Sequence, residues 1–264
     1  GYDVLHTDTD VVWLRDPAPY LLCTAAARAG EFAPGSKLPC DGVAKADVAV
    51  SSDNMGPGLA LKQGAGYAAG GTFNSGILLF RATPAGRRFV RAWHDNVARP
   101  PRGSRFASLT SDQQVFNNMV RKPREWPGVR AAKGNQLMEV ERSCGAWAAN
   151  LSLGYLPLPL FANGHGYFVQ AAHTRLGVAP MAVHATYSLD RHDGLAKAQR
   201  FREAGLWQVD PPEYFEGKFL VLNASLPPAV RQLISRSPGQ ASANHIGTHY
   251  AALRGYAAEL RDAL

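Results

Sequence analysis

Asp8 and Asp10 stand one residue apart in the run V-L-H-T-D-T-D-V-V-W-L-R-D-P at 4–17, with an apolar segment on either side. Side chains at i and i+2 of an extended chain project to the same face, so the two carboxylates can converge on one cation where the first segment ends. That is the outline of a divalent-metal site. Surface strands often end in acidic residues too, so the pair carries weight only together with polar residues supplied elsewhere in the chain.

Four such groups lie at the ends of apolar segments. Asn74, Ser75 and Gly76 immediately precede the strand-like Ile77–Phe80, and a small turn of this kind lets backbone approach a ligand closely. Taken alone it is an ordinary turn. Ser111 or Asp112 reads as the N-cap of a helix that runs on through Gln113 and Gln114. Asn163, Gly164, His165 and Gly166 follow an apolar segment and form a turn by default. The last group is His184, within V-H-A-T-Y at 183–187 and followed by Gly194 and Lys197. A lone histidine on a strand is usually a core residue. Beside an Asp-x-Asp pair, an imidazole suits Mn2+ as a third ligand, and a nearby lysine suits phosphate oxygens.

The elements that must position these residues alternate in type. Segments 4–6, 47–51, 77–81, 156–161, 182–187 and 218–222 read as strands, mostly bounded by Gly, Pro, Asn or Asp. Segments 87–97, 112–120, 196–204, 228–235 and 246–264 read as helices; in the last, Ile246, Tyr250, Leu253, Ala257, Leu260 and Leu264 form one apolar stripe that should dock on the body. Such alternation predicts an α/β domain with a mixed, mostly parallel sheet flanked by helices, and ligands of such sheets collect beyond the carboxyl ends of the strands. The glycine-rich stretch 56–71 is expected to be a mobile or closely packed loop, and 100–104 and 237–244 to be flexible connections.

Composition narrows the classes. With 264 residues and 46% hydrophobic content, the chain can bury the core of one large domain. No apolar run approaches the length of a membrane span and nothing resembles a signal peptide. The net charge of +7 comes mostly from scattered arginines, among them Arg87, Arg88, Arg91, Arg99, Arg102, Arg105, Arg121 and Arg124. Scatter without a nucleic-acid module reads as a solvated face rather than a nucleic-acid surface, and suits a phosphate-bearing substrate. Cys23, Cys40 and Cys144 show no Cys-x-x-Cys spacing, so no zinc or redox motif is suggested; a Cys23–Cys40 bridge is open but spacing cannot decide it. Two N-glycosylation triplets, at Asn150 and Asn223, tilt the compartment slightly toward the secretory lumen.

Taken in order, the segments resemble the nucleotide-diphospho-sugar transferases of the GT-A type, and within them the plant and algal family of extensin arabinosyltransferases and rhamnogalacturonan xylosyltransferases. The matching pieces are L-H-T-D-T-D-V-V-W-L-R-D-P at 5–17, D-V-A-V-S-S-D at 47–53, F-N-S-G-I-L-L-F-R-A-T at 73–83 and S-D-Q-Q-V-F-N at 111–117. They continue with L-P-L-P-L-F-A-N-G at 156–164, V-H-A-T-Y at 183–187 and K-A-Q-R-F-R-E-A-G-L-W at 197–207. Motifs in fixed order are far more specific than any one of them.

The resemblance implies a retaining transfer of a sugar from a UDP-sugar, on a Rossmann-type GT-A domain. Asp8, Asp10 and His184 would hold Mn2+ or Mg2+, and Gly194 and Lys197 would meet the diphosphate. Asn74, with Ser75 and Gly76, would contact the donor. Asp112 is assigned to positioning and Gln113 to stabilising the oxocarbenium-like state. Arabinose is the first choice for the transferred pentose and xylose the second, onto a hydroxyproline-rich glycoprotein or cell-wall glycan, with no nucleic-acid partner. The family's members are type II membrane proteins of the Golgi lumen, held by an anchor not found in this chain.

GT-A domains also place about a hundred residues before the metal strand, so the chain is expected to be an N-terminally incomplete domain. Its 4–6 strand would then expose an apolar edge, and the chain alone is expected to be oligomeric or of low stability. Two other readings compete. Asp8-Thr9-Asp10-Val11-Val12 fits the first motif of haloacid dehalogenase-like phosphatases, with Asp8 as nucleophile, although the required later acidic pair is poorly served by Asp190 and Asp193. A non-catalytic sugar-binding protein with the transferase fold is the third.

Overall fold

The strand β4 (Phe73–Phe80) is buried along its whole length, and the larger unit of the protein is laid out around it. The structure is a computed structural model that describes residues 1–29, 38–100, 102–104, 106–109, 111–121, 128–132, 136–188 and 195–210. It divides into Gly1–Ser188 and a second unit, Leu189–Leu264. In the first unit the chain runs β1 (Val4–Thr7), β2 (Val11–Trp13), α1 (Ala18–Leu21), α2 (Ala25–Arg28), α3 (Asp41–Lys45), β3 (Val48–Ser52), α4 (Pro57–Gln63) and α5 (Ala65–Gly70) before β4. After it come α6 (Pro84–Ala98), α7 (Asp112–Val120), β5 (Val129–Ala131), β6 (Leu137–Val140), β7 (Ser152–Tyr155), β8 (Phe161–Asn163), α8 (Ala172–Leu176) and β9 (Ala182–His184). The second unit contributes α9 (Leu195–Glu203) to the described residues.

Alternation along β3 and β4 builds two cores. Val48, Val50, Leu78 and Phe80 pack with Phe89 and Trp93 of α6 and Phe116 and Met119 of α7 on one face. Ala49, Ile77 and Leu79 pack with Tyr20, Leu21, Leu156 and Phe161 on the other. Both faces are covered, which is why the stretches Val48–Val50 and Ile77–Phe80 are apolar without interruption. Helix α6 starts at Thr83, whose hydroxyl accepts from the Gly86 N–H at 3.0 Å, with Pro84 in its first turn. Helix α7 starts at Ser111, which accepts from the Gln114 N–H at 3.2 Å. Ser111 is therefore the cap, not Asp112.

The α/β class holds, and the sheet is mixed. A six-stranded sheet has the order β1-β4-β3-β7-β6-β5, and a three-stranded one the order β2-β9-β8. Among the described strands only β3–β7 and β8–β9 pair in parallel, which corrects the expectation of a mostly parallel sheet. The reason is helix length. Stretch 56–71 is not a loop but α4 and α5, seven and six residues long, joined at Gly64 with φ 52°. At about 1.5 Å rise per residue neither helix can carry the chain back past a five-residue strand, so β4 starts at the end where β3 stops and pairs with it antiparallel.

Two more expectations change. Of segment 156–161 only Phe161 is in a strand; residues 156–160 form the turn between β7 and β8, because Pro157 and Pro159 cannot donate to a ladder, and the Pro157 carbonyl instead accepts from Leu160 and Phe161 at 2.9 and 2.8 Å. Arg121 lies at the end of α7 and is 1% exposed rather than solvated. Its guanidinium bonds the Ala69 and Gly71 carbonyls at the end of α5 and lies over the Phe73 ring at 4.0 Å, and burial pushes its pKa down to about 9.

Cys23 and Cys40 form a disulfide. Strand β1 is an edge of its sheet, with Val4 54% and Leu5 36% exposed. The strand expected at 218–222, the helices expected at 228–235 and 246–264 and the connection expected at 237–244 lie outside the described residues. No described helix is long and apolar enough to cross a membrane.

Candidate functional site

Asp8 and Asp10 meet because the chain changes sheets between them. Strand β1 ends opposite Ile77, and the Asp8 N–H then donates to the Gly76 carbonyl at 2.9 Å. Strand β2 begins at Val11, paired with His184 at the end of β9, and the Asp10 carbonyl accepts from the Ala185 N–H at 3.0 Å. The turn across Thr9, rather than strand alternation, brings the carboxylates together, and the β2–β9 register delivers the imidazole to them. His184 Nε2 stands 3.2 Å from Asp10 Oδ1 and 3.5 Å from Asp8 Oδ2. One ligand atom from each of the three lies within 4.8 Å of the others.

Two carboxylates held this close repel each other, and a cation among them offsets that cost. Two oxygens and one imidazole nitrogen suit Mn2+ or Mg2+, with Mn2+ the better match to the nitrogen. The site is graded in exposure: the His184 side chain is 7% exposed, Asp10 17% and Asp8 42%, so the imidazole forms the floor and Asp8 the rim. His184 also lies close against β4 at Gly76. A methyl group on Gly76 would stand 2.1 Å from His184 Cε1, and only glycine leaves room for the ring.

Asn74, Ser75 and Gly76 do not precede a strand as a turn; they lie inside β4, at an irregularity. Val50 pairs with Leu78, but Ser51 already pairs with Asn74, so residues 75–77 bulge out of the ladder. Bulges re-aim side chains at sites. The Asn74 side chain stabilises this one, its Oδ1 accepting from the Gly76 N–H at 2.8 Å. Asn117 of α7 substitutes for a neighbouring strand by bonding both the N–H and the carbonyl of Phe73, at 3.0 and 2.7 Å.

Asp53 is the residue that sequence reasoning missed. Its Oδ1 accepts from Asn74 Nδ2 and its Oδ2 from Gln113 Nε2, both at 2.8 Å, while Gln113 Oε1 accepts from the Ser75 N–H at 3.2 Å. One carboxylate thus fixes which way both amides face. Burial pushes the Asp53 carboxyl above its ordinary range, against the opposing pull of the Asn74 and Gln113 N–H groups and of His184. The signal was present as the final aspartate of the 47–53 run, but without the fold nothing joined it to Asn74 or Gln113.

The structure therefore brings Asp8, Asp10 and His184 into one cluster and Asn74, Ser75 and Gln113 into another, with Gly76 shared. Asp112 stands apart from both. Its backbone carbonyl accepts from Trp93 Nε1 at 3.0 Å, and it lines a groove of about 550 Å³ beside β1 and α6 that also holds His6 and Trp93. Lys197 lies on α9 in the second unit, and Gly194 falls outside the described residues.

Residues 1–201 match the model of the nucleotide-diphospho-sugar transferases. The chain belongs to that family. The chain is also 32% identical, over 234 residues, to "Arabinosyltransferase XEG113" of Arabidopsis thaliana; the alignment takes in 86% of the chain and 30% of that relative, so the chain spans under a third of the relative's length. No solved structure matches the chain.

Proposed function

We propose that this chain carries the catalytic site of a retaining, metal-dependent glycosyltransferase that moves a pentose from a UDP-sugar to a hydroxyproline-rich glycoprotein or cell-wall glycan. Arabinose is the first choice of sugar, supported by the arabinosyltransferase relative, and xylose the second. The observation that carries the reading is the clustering of Asp8, Asp10 and His184, in a chain whose family handles nucleotide-diphospho-sugars.

Asp8, Asp10 and His184 would hold Mn2+ or Mg2+ against the donor's diphosphate. When bound, the cation supplies charge to stabilise the departing nucleotide. Asn74, Ser75 and Gly76 form the bulge against which the donor sugar lies. Gln113 presents its amide toward the developing oxocarbenium charge, and Asp53 is a positioning residue that fixes both amides; Asp112, which lines the separate groove beside β1 and α6, is given no part in orienting the reactants. A phosphatase would need Asp8 as a nucleophile, and the family match opposes that reading; its second acidic pair, Asp190 and Asp193, lies outside the described residues. The Cys23–Cys40 disulfide fits an oxidising compartment and the proposed Golgi lumen.

The direct test is a panel of UDP-sugars assayed for turnover with and without Mn2+. UDP-arabinofuranose is expected to be used most efficiently and UDP-xylose next, both only with metal. Metal-independent binding of every donor would overturn the reading. Asp53→Asn tests the positioning role. An asparagine puts an N–H opposite one of the two amide N–H groups that the carboxylate now accepts, so one of them turns away. Turnover is expected to fall roughly 10²-fold, with the metal affinity kept; unchanged turnover would show that the amides hold their places without Asp53.

A further inference from the structure

We propose that the rings of His165 and Tyr187 form an acceptor subsite that takes a glycan ring by its apolar C–H face; this rests on the transferase reading above. Tyr187 has φ 57°, a left-handed backbone that bulky residues rarely adopt and that persists where the surroundings hold it, often at ligand sites. What holds it is visible. The Tyr187 hydroxyl donates to the Asp53 carbonyl, and the preceding residue, Thr186, accepts on Oγ1 from the Gly164 N–H at 3.1 Å. A methyl on Gly164 would stand 2.1 Å from the Thr186 carbonyl oxygen, so the two segments touch backbone to backbone.

His165 then opens a short π-helical turn, His165–Val169, a rare form that recurs at functional sites. Its ring stands edge-on to Tyr187, with centroids 5.8 Å apart and planes at 65°. The same strands that build the metal cluster place this pair. Asn163 is level with His184 in the β8–β9 register, and the two rings follow directly where those strands end.

The chemistry of the pair is that of presentation. Tyr187 is 40% exposed although its hydroxyl is committed to the protein, so it offers ring rather than O–H. A sugar ring is apolar on its C–H faces and polar at its rim. A fixed aromatic surface takes the face, leaving the rim hydroxyls to polar neighbours. Neither ring belongs to the metal cluster or to the Asn74–Gln113 network, yet Asp53 connects them to it: its backbone anchors Tyr187 and its carboxylate holds both amides. That is the place for the second sugar of a transfer.

The experiment compares the chain with His165→Ala and Tyr187→Asn; asparagine tolerates the left-handed backbone, so the second variant removes the ring without refolding the turn. Methyl α-L-arabinofuranoside and methyl β-D-xylopyranoside serve as acceptor probes at saturating UDP-sugar and Mn2+, and UDP–Mn2+ affinity is titrated in parallel. In both variants the acceptor KM is expected to rise roughly tenfold, the scale of one aromatic contact, with UDP–Mn2+ affinity unchanged. An unchanged acceptor KM overturns the subsite and leaves the transferase reading intact. A rise confined to the donor KM overturns it too, by assigning the rings to the donor. A chain that binds no UDP with Mn2+ removes the transferase reading and the subsite together.

Discussion

Asp10→Ala is expected to abolish Mn2+-dependent binding of UDP, lowering affinity by more than about 10²-fold. Of the two carboxylates, Asp10 is the deeper, its side chain 17% exposed against 42% for Asp8, and it makes the shorter approach to His184, 3.2 Å. Removing it leaves a rim carboxylate and one imidazole nitrogen, too few ligands to hold a hard cation against water. The variant should still fold, because the backbone bond from Ala185 to the Asp10 carbonyl does not depend on the side chain. Two measurements separate binding from folding. Titration calorimetry with UDP should give heat only for the parent chain and only with Mn2+, and Mn2+ plus UDP should raise the melting temperature of the parent but not of the variant. Undiminished Mn2+-dependent binding by Asp10→Ala would remove the metal assignment.

The cluster was legible in the sequence, but for a reason that the fold revises. Spacing put Asp8 and Asp10 on one face of a strand; the structure brings them together at a crossing between two sheets, a fact of topology that local spacing does not carry. His184 could be offered as a third ligand from the chemistry of an imidazole beside an Asp-x-Asp pair and from the family resemblance, but spacing could not place it there, because the β2–β9 register joins positions far apart in the chain. Asp53 went unnoticed for the same reason: its partners Asn74 and Gln113 come from β4 and α7.

The misread elements have local causes. Two prolines in 156–161 were outweighed by the leucines around them. The glycines of 56–71 hid two short helices, the second of them half alanine, whose ends fall at Gly56, Gly64 and Gly71. Helix lengths then decided the sense of the β3–β4 pairing, which no count of alternating elements could anticipate. The buried Arg121 shows the limit of reading charge from composition, since a guanidinium that meets the carbonyls at a helix end belongs to the core.

Gly76→Ala is the sharper test of the arrangement, because it adds one methyl group and touches no proposed ligand atom. The added carbon would lie 2.1 Å from His184 Cε1, 2.5 Å from Nδ1 and 2.9 Å from Asn74 Oδ1. No atom pair tolerates the first of these, and the imidazole, 7% exposed and fixed to β9, has no solvent into which to swing. The ring must tilt out of the cluster or the bulge must open. Either movement misplaces a ligand by the order of an ångström, and misplacements of that size cost roughly 10²-fold in rate. Overpacking should also lower stability by about 1 to 3 kcal/mol. The cause can be isolated by repeating the substitution in a His184→Ala background. With the ring gone the methyl has space, so the stability cost of Gly76→Ala should largely vanish there, giving a coupling energy of about 1 to 3 kcal/mol between the two positions in denaturant unfolding. Additive costs in that cycle would mean that the ring does not lie against Gly76, and the geometry that unites β4, β9 and the two aspartates would fall with it.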